Sequence, residues 1–224
     1  MGTGSGQAFS RREFVFVVFG AFAPFIASSL ASLARPEHAA EFSNAGLFAL
    51  VCYEIALGTI LLAFLHYRGW TAERFGLAFS RIDPLIGIAL AITSYVACIA
   101  SVFLYVAATS SFSHAAGTIH WASTGLSPGI AAVVSVVNPI YEEIFLVGYV
   151  ISVLKERRDA TFAVNVSTAI RLLYHLYQGP TGVMVAVPAG LVFGYWFVRK
   201  GRLYPVIIAH ALLDFFPFLF SLQF

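Results

Sequence analysis

An all-α bundle of about seven membrane-spanning helices is the fold class this sequence predicts, and three observations predict it. Hydrophobic residues make up 59% of the 224 and charged residues only 11%, against about 25% charged in a soluble domain. Apolar windows near the ~20 residues a helix needs to cross a bilayer recur along the chain. Apart from Arg35, the Lys and Arg residues between those windows fall in every second loop, as the positive-inside rule requires. The strand alternation of a membrane barrel is absent, and backbone in lipid must pair internally, so the windows are helices. A mean hydropathy of +0.84 excludes a soluble core of this size. The formal net charge of +2 gives no nucleic-acid footprint, because the basic residues lie in short clusters between apolar runs.

The windows fall at 14–34, 46–66, 84–108, 128–154, 160–178, 181–198 and 203–222. The first follows Ser10-Arg11-Arg12. That pattern reads as a retained span after a cytoplasmic arginine pair, rather than as an export signal. Arg35, with Glu37, His38 and Glu41, follows span one, and Arg68, Arg74 and Arg81 follow span two. The loop 109–127 has no Lys or Arg. Lys155, Arg157 and Arg158 follow span four, "YQGP" after span five has none, and Arg199, Lys200 and Arg202 follow span six. The alternation predicts a cytoplasmic N-terminus and a C-terminus on the opposite side. No internal repeat or long linker appears, so residues 1–224 read as a single integral membrane domain. Trp70, Trp121 and Trp196 near span ends fit an aromatic belt. Cys52 and Cys98 form no metal or disulfide spacing and read as small buried filler.

The later spans carry charge where charge is costly. In "NPIYEEIFLVGYV" Glu142 and Glu143 sit side by side within an apolar run, at about 2.5–3.5 kcal/mol each on insertion scales. Asn138 lies four residues before Glu142 and shares its face. Span five places Thr168, Arg171, His175 and Gln178 on one helical stripe, and span seven places His210 four before Asp214. The first three spans hold one comparable residue, Glu54, which reads as a structural partner for a neighbouring polar group. Such residues face the bundle interior and one another, so the concentration in one half points to one shared site. His114 and His120, in the charge-poor loop, lack a third ligand.

Two chemistries fit this set of residues. His-Glu-x-x-His and a Cys ligand set are absent, but two His and several carboxylates leave a metal open. In acid/base hydrolysis a buried Glu deprotonates water and a His carries the proton to the leaving amine. A second His then donates to the oxyanion, and an Asp one turn away orients that His. Buried Glu, His and Arg are also what a proton-coupled transporter uses, although a transporter usually shows two related halves. One geometric tension stands. Counted at 1.5 Å per residue from the span starts, His175 lies about 22 Å across and His210 only about 10 Å in.

The strings "NPIYEEIFLVGY", "RLLYHLYQGP" and "GRLYPVIIAHALLD", in that order, resemble the CAAX protease and bacteriocin-processing family of intramembrane glutamic endopeptidases. The resemblance covers about residues 70–220, including "WTAERFGL". It implies a metal-independent hydrolase with no cofactor, acting on a membrane-associated or lipidated peptide or protein, in a bacterial cytoplasmic (inner) membrane. Carried over by position, Glu142 matches the residue that activates water and Glu143 its neighbour. His175 matches the catalytic His, and His210 with Asp214 the oxyanion-stabilising pair. Asn138 and Arg171 are supporting residues. Two positions depart from the pattern. Val147 stands where the first motif has an arginine, and Arg171 where the second has Phe. Arg171 is therefore expected to supply the missing cation to Glu143 from the neighbouring helix. Some members of the family act as scaffolds or immunity proteins, which is the other function the resemblance implies.

Overall fold

The computed structural model describes residues 10–34, 42–109 and 126–221. Among them seven helical rods and no strand occur, in line with the seven windows. They are α1 (Arg11–Leu33), α2 (Asn44–Tyr67), α3 (Asp83–Thr109), α4 (Pro128–Lys155), α5 (Ala160–His175), α6 (Gly179–Lys200) and α7 (Tyr204–Ser221). Five of them, α1 to α4 and the Gly182–Lys200 part of α6, are long and apolar enough to cross a membrane, and the chain is an integral membrane protein. The loop bearing Arg35, Glu37, His38 and Glu41, and the residues His114, His120 and Trp121, lie outside the described residues.

Local chemistry sets the helix ends. Ser10, Ser43 and Asp159 each accept a bond from a backbone N–H of the first turn of α1, α2 and α5, satisfying donors the helix leaves open. Gly201 closes α6 at φ 63°, a left-handed conformation that favours glycine. Pro139 lies inside α4 just before the glutamates. From Ile144 to Ile151 the same rod is wound as a π-helix, a form that concentrates at functional sites.

The outer faces of α1, α2 and α3 carry exposed Phe19, Ile60, Leu85 and Phe103, an apolar surface suited to lipid. Every residue of α4 from Tyr141 to Ile151 is buried, so α4 is the axis of the bundle. It packs on α2 and α7, while α5 packs on α1 and α6, and α3 on α6 and α7. Tyr141 donates from its hydroxyl to the Ala21 carbonyl at 2.9 Å, and Ser167 to the Leu146 carbonyl at 2.9 Å. These bonds tie α1 and α5 to the central rod on either side of the glutamates.

The basic loops meet at one end of the bundle. Arg68 pairs with Glu13 at 2.8 Å and Arg74 with Glu156 at 2.8 Å, and Arg202 pairs with the fully buried Asp83. The segment 70–77 turns inward here. Trp70 is 3% exposed, packed against Phe75 and Tyr149 and lying under the Arg74 guanidinium. This corrects the belt assignment for Trp70, because the inward turn carries its ring into the core. Cys52 is likewise exposed on α2 rather than buried, whereas Cys98 is buried.

The same inward turn resolves the difference in depth between the two histidines. The Leu203 N–H donates to the Gly76 carbonyl at 2.9 Å. A Cβ at Gly148 would lie 3.1 Å from Leu203 and 3.2 Å from the Phe75 carbonyl oxygen. The start of α7 therefore sits at the level of Gly148, already well inside the bundle. His210, two turns further on, then meets Glu143.

Candidate active site

Four helices deliver polar groups to one buried cluster midway along α4. Glu143 is fully buried, Arg171 is 2% exposed, and Glu142 and His210 are 6% and 7% exposed. Arg171 reaches from α5, one Nη donating to Glu143 at 2.6 Å and the other to Glu142 at 3.3 Å. His210 on α7 places Nδ1 2.6 Å from the same Glu143 oxygen. Its Nε2 stands 3.5 Å from Asp214. Glu143 thus ties α4 to α5 and α7. Its partners are a permanent cation and an imidazole, which is what a carboxylate in apolar surroundings requires.

Glu142 is held differently. The hydroxyl of Tyr174 donates to it at 2.5 Å, and the Asn138 amide donates to its other oxygen at 3.2 Å. The same Asn138 nitrogen donates to Glu54 of α2 at 2.6 Å. With the weaker Arg171 bond, three donors occupy Glu142, out of about four acceptor positions on a carboxylate. The two adjacent glutamates therefore differ in chemistry. Glu143 is held by charge through Oε1, its buried Oε2 having no partner among the described residues, while Glu142 is bordered mainly by neutral donors and keeps some acceptor capacity.

The structure brings Glu142, Glu143, Arg171, His210 and Asn138 together, with Asp214 at their edge. His175 stands apart. It ends α5 where the helix tightens into the 3-10 turn Leu176–Gln178, and its Nδ1 is buried with no hydrogen-bond partner among the described residues. Its ring lies 4.6 Å from that of Tyr174. The polar atoms of α5 that reach the glutamates belong to Arg171 and Tyr174. Gln178 bonds to the Tyr177 hydroxyl and Thr168 packs on Gly190, so the stripe read along this span divides between the site and its surroundings. Val147 is 1% exposed within the π-wound segment, where packing leaves no space for a cation.

Two participants escaped sequence reasoning. Nothing marks Tyr174 among ten tyrosines. Glu54 was visible as an isolated carboxylate, but its link to Glu142 through Asn138 depends on α2 packing against α4.

One ligand atom each from Glu142, Glu143 and His210 lie within 4.8 Å of one another, close enough to hold a metal ion. The Arg171 guanidinium already lies against both carboxylates, so a metal there would meet a fixed positive charge. Beside the cluster, between α4 and α7, runs an apolar groove of about 330 Å³ lined by Ser135, Val136, Ile207, Ile208, Ala211, Leu212 and Phe215.

The sequence profile of the Rce1-like type II CAAX prenyl endopeptidases matches residues 124–216. No curated protein and no solved structure matches the chain. The matched segment holds Asn138, Glu142, Glu143, Arg171, Tyr174, His175, His210 and Asp214, every group of the cluster except Glu54. Residues 124–216 are thus similar to the type II CAAX prenyl endopeptidases of the CAAX protease and bacteriocin-processing family.

Proposed function

We propose that the protein is an intramembrane glutamic endopeptidase that hydrolyses a peptide bond in a lipidated or otherwise membrane-associated substrate. One observation carries the reading. Glu142, in the family-matched segment, keeps acceptor capacity in a buried site, while its neighbour Glu143 is neutralised by Arg171 and His210. Glu142 removes a proton from water as the oxygen attacks the scissile carbonyl. His175, beside Tyr174 with Nδ1 unpaired, passes that proton to the leaving amine. As the imidazolium, with its Nδ1–H donated to Glu143, His210 supplies a second N–H to the oxyanion from Nε2, which Asp214 orients only loosely at 3.5 Å. The donor is thus close to hand but not tightly committed. The apolar groove between α4 and α7 takes the hydrophobic part of the substrate. The reaction requires no metal, because Arg171 already supplies the positive charge at the glutamates.

The test is cleavage of a prenylated CAAX peptide by purified protein and by Glu142→Gln. Wild type should cleave, including after dialysis against strong chelators, and the mutant should not. Equal cleavage by both would remove Glu142 as the base. Loss on chelation with recovery on adding zinc would replace the glutamic mechanism by a metal one. His210→Ala should lower kcat by about 10²–10³ with little change in KM, and Asp214→Asn should be milder. A KM effect alone would move His210 to substrate binding.

A further inference from the structure

Glu54 is the carboxylate the scheme above leaves unused. It comes from α2, outside the family-matched segment, and it is 1% exposed. Its Oε1 accepts from Asn138 at 2.6 Å, while its Oε2 is buried and makes no hydrogen bond among the described residues. A buried carboxylate oxygen without a donor is costly and calls for a physical reason. Beside it lies a cavity of about 10 Å³ lined by Phe22, Phe25, Glu54, Tyr141, Glu142 and Tyr174. That is about the space one water molecule needs. Both tyrosine hydroxyls are already committed, Tyr141 to the Ala21 carbonyl and Tyr174 to Glu142. What the two carboxylates still offer the cavity is acceptor capacity, and a water molecule supplies the two donors to match.

We propose that Glu54 is a third carboxylate of the reaction centre, which together with Glu142 holds the hydrolytic water in this cavity. The proposal rests on the reading of Glu142 as the base. One O–H of the water points to Glu142 and the other to Glu54 Oε2, so the oxygen lone pairs are left for the scissile carbonyl. As the new C–O bond forms, the first proton moves to Glu142 and the second stays on the attached hydroxyl, still bonded to Glu54. When the C–N bond breaks, the proton held at Glu142 leaves with the amine by way of His175. Glu54 takes up no proton. Asn138, which donates to both carboxylates from one nitrogen, is a positioning residue that sets their separation.

The experiment uses the purified full chain and a prenylated CAAX peptide. Glu54→Gln preserves size and can still accept from Asn138, but it turns an NH₂ donor toward the water. Its kcat should fall about tenfold to a hundredfold, with KM and melting temperature unchanged, and Glu54→Asp should recover part of the loss. A kcat equal to wild type overturns the proposal. So does a parallel fall of kcat and melting temperature that Asp does not relieve, because Glu54 would then be only structural. A second readout needs no turnover. A high-resolution crystal structure should contain an ordered water within hydrogen-bond distance of both Glu54 and Glu142, and a dry cavity overturns the proposal whatever the activity. Equal cleavage by wild type and Glu142→Gln would defeat the reading of Glu142 alone, and the water density would still decide for Glu54.

Discussion

At the scale of single residues, the proposed mechanism depends on one carboxylate being neutralised so that its neighbour can react. Glu143 is fully buried, and the contacts of its oxygen at 2.6 Å from both Arg171 and His210 replace solvation by water. Removing one partner of such a pair typically costs about 3–5 kcal/mol. Arg171→Leu should therefore lose activity and much of its thermal stability. A double-mutant cycle of Glu143→Gln and Arg171→Gln isolates the pairwise part. The expected result is a coupling well above zero in melting temperature and in kcat, and additive effects would discard the pairing. Much of this was legible beforehand. Arg171 is the intramembrane cation of a chain whose first motif lacks its arginine, so a cross-helix partner was the economical expectation. The bridge Glu54–Asn138–Glu142 was not legible, because spacing along a chain does not specify which faces of two distant helices meet. Nor did it specify that α5 would tighten after Arg171 and Tyr174 and leave His175 beyond the glutamates.

At the scale of elements, close backbone contact places α7. A Cβ at Gly87 of α3 would lie 2.6 Å from Ile208 and 3.1 Å from the Pro205 carbonyl oxygen, and one at Gly148 would crowd Leu203 and Phe75. These two glycines let α3 and α4 approach α7 closely enough for His210 to reach Glu143. Small residues play this part widely at helix contacts in membranes. Gly87→Ala is expected to cost about 1–3 kcal/mol by overpacking and to push α7 outward. Activity should fall more than stability, since a displacement on the order of 1 Å costs about a hundredfold in rate. Paired measurements of kcat and melting temperature check this, and an unchanged kcat would show that α7 adjusts without moving His210. The sequence indicated a helix at 203–222 but not its depth. That depth is set by the inward turn of residues 70–77, whose "WTAERFGL" string carries no periodic signal.

At the scale of the whole molecule, the alternation of basic loops has a physical counterpart. The start of α1, the loop after α2, the α4–α5 turn and the α6–α7 turn are joined at one end by Arg68–Glu13, Arg74–Glu156 and Arg202–Asp83. The positive-inside rule predicts that this end is cytoplasmic, so a reporter active only in the cytoplasm should be silent when fused after Phe224 and active when fused after Arg158. The opposite pattern would invert the orientation.

The ion pair between α4 and α5 also bears on how the chain enters the bilayer during synthesis. Glu142 and Glu143 are made 29 and 28 residues before the arginine that neutralises them. When α4 leaves the ribosome it is a poor candidate for release into lipid, carrying two carboxylates at a cost of about 2.5–3.5 kcal/mol each on insertion scales. The turn from Glu156 to Asp159 is short enough for α5 to fold back at once. The two helices should therefore enter lipid together as a hairpin, with α4 retained at the insertion machinery until Arg171 arrives. A chain truncated after Arg158 should be extracted from membranes by alkali more readily than one truncated after Gln178, and Glu142→Gln with Glu143→Gln should abolish the difference.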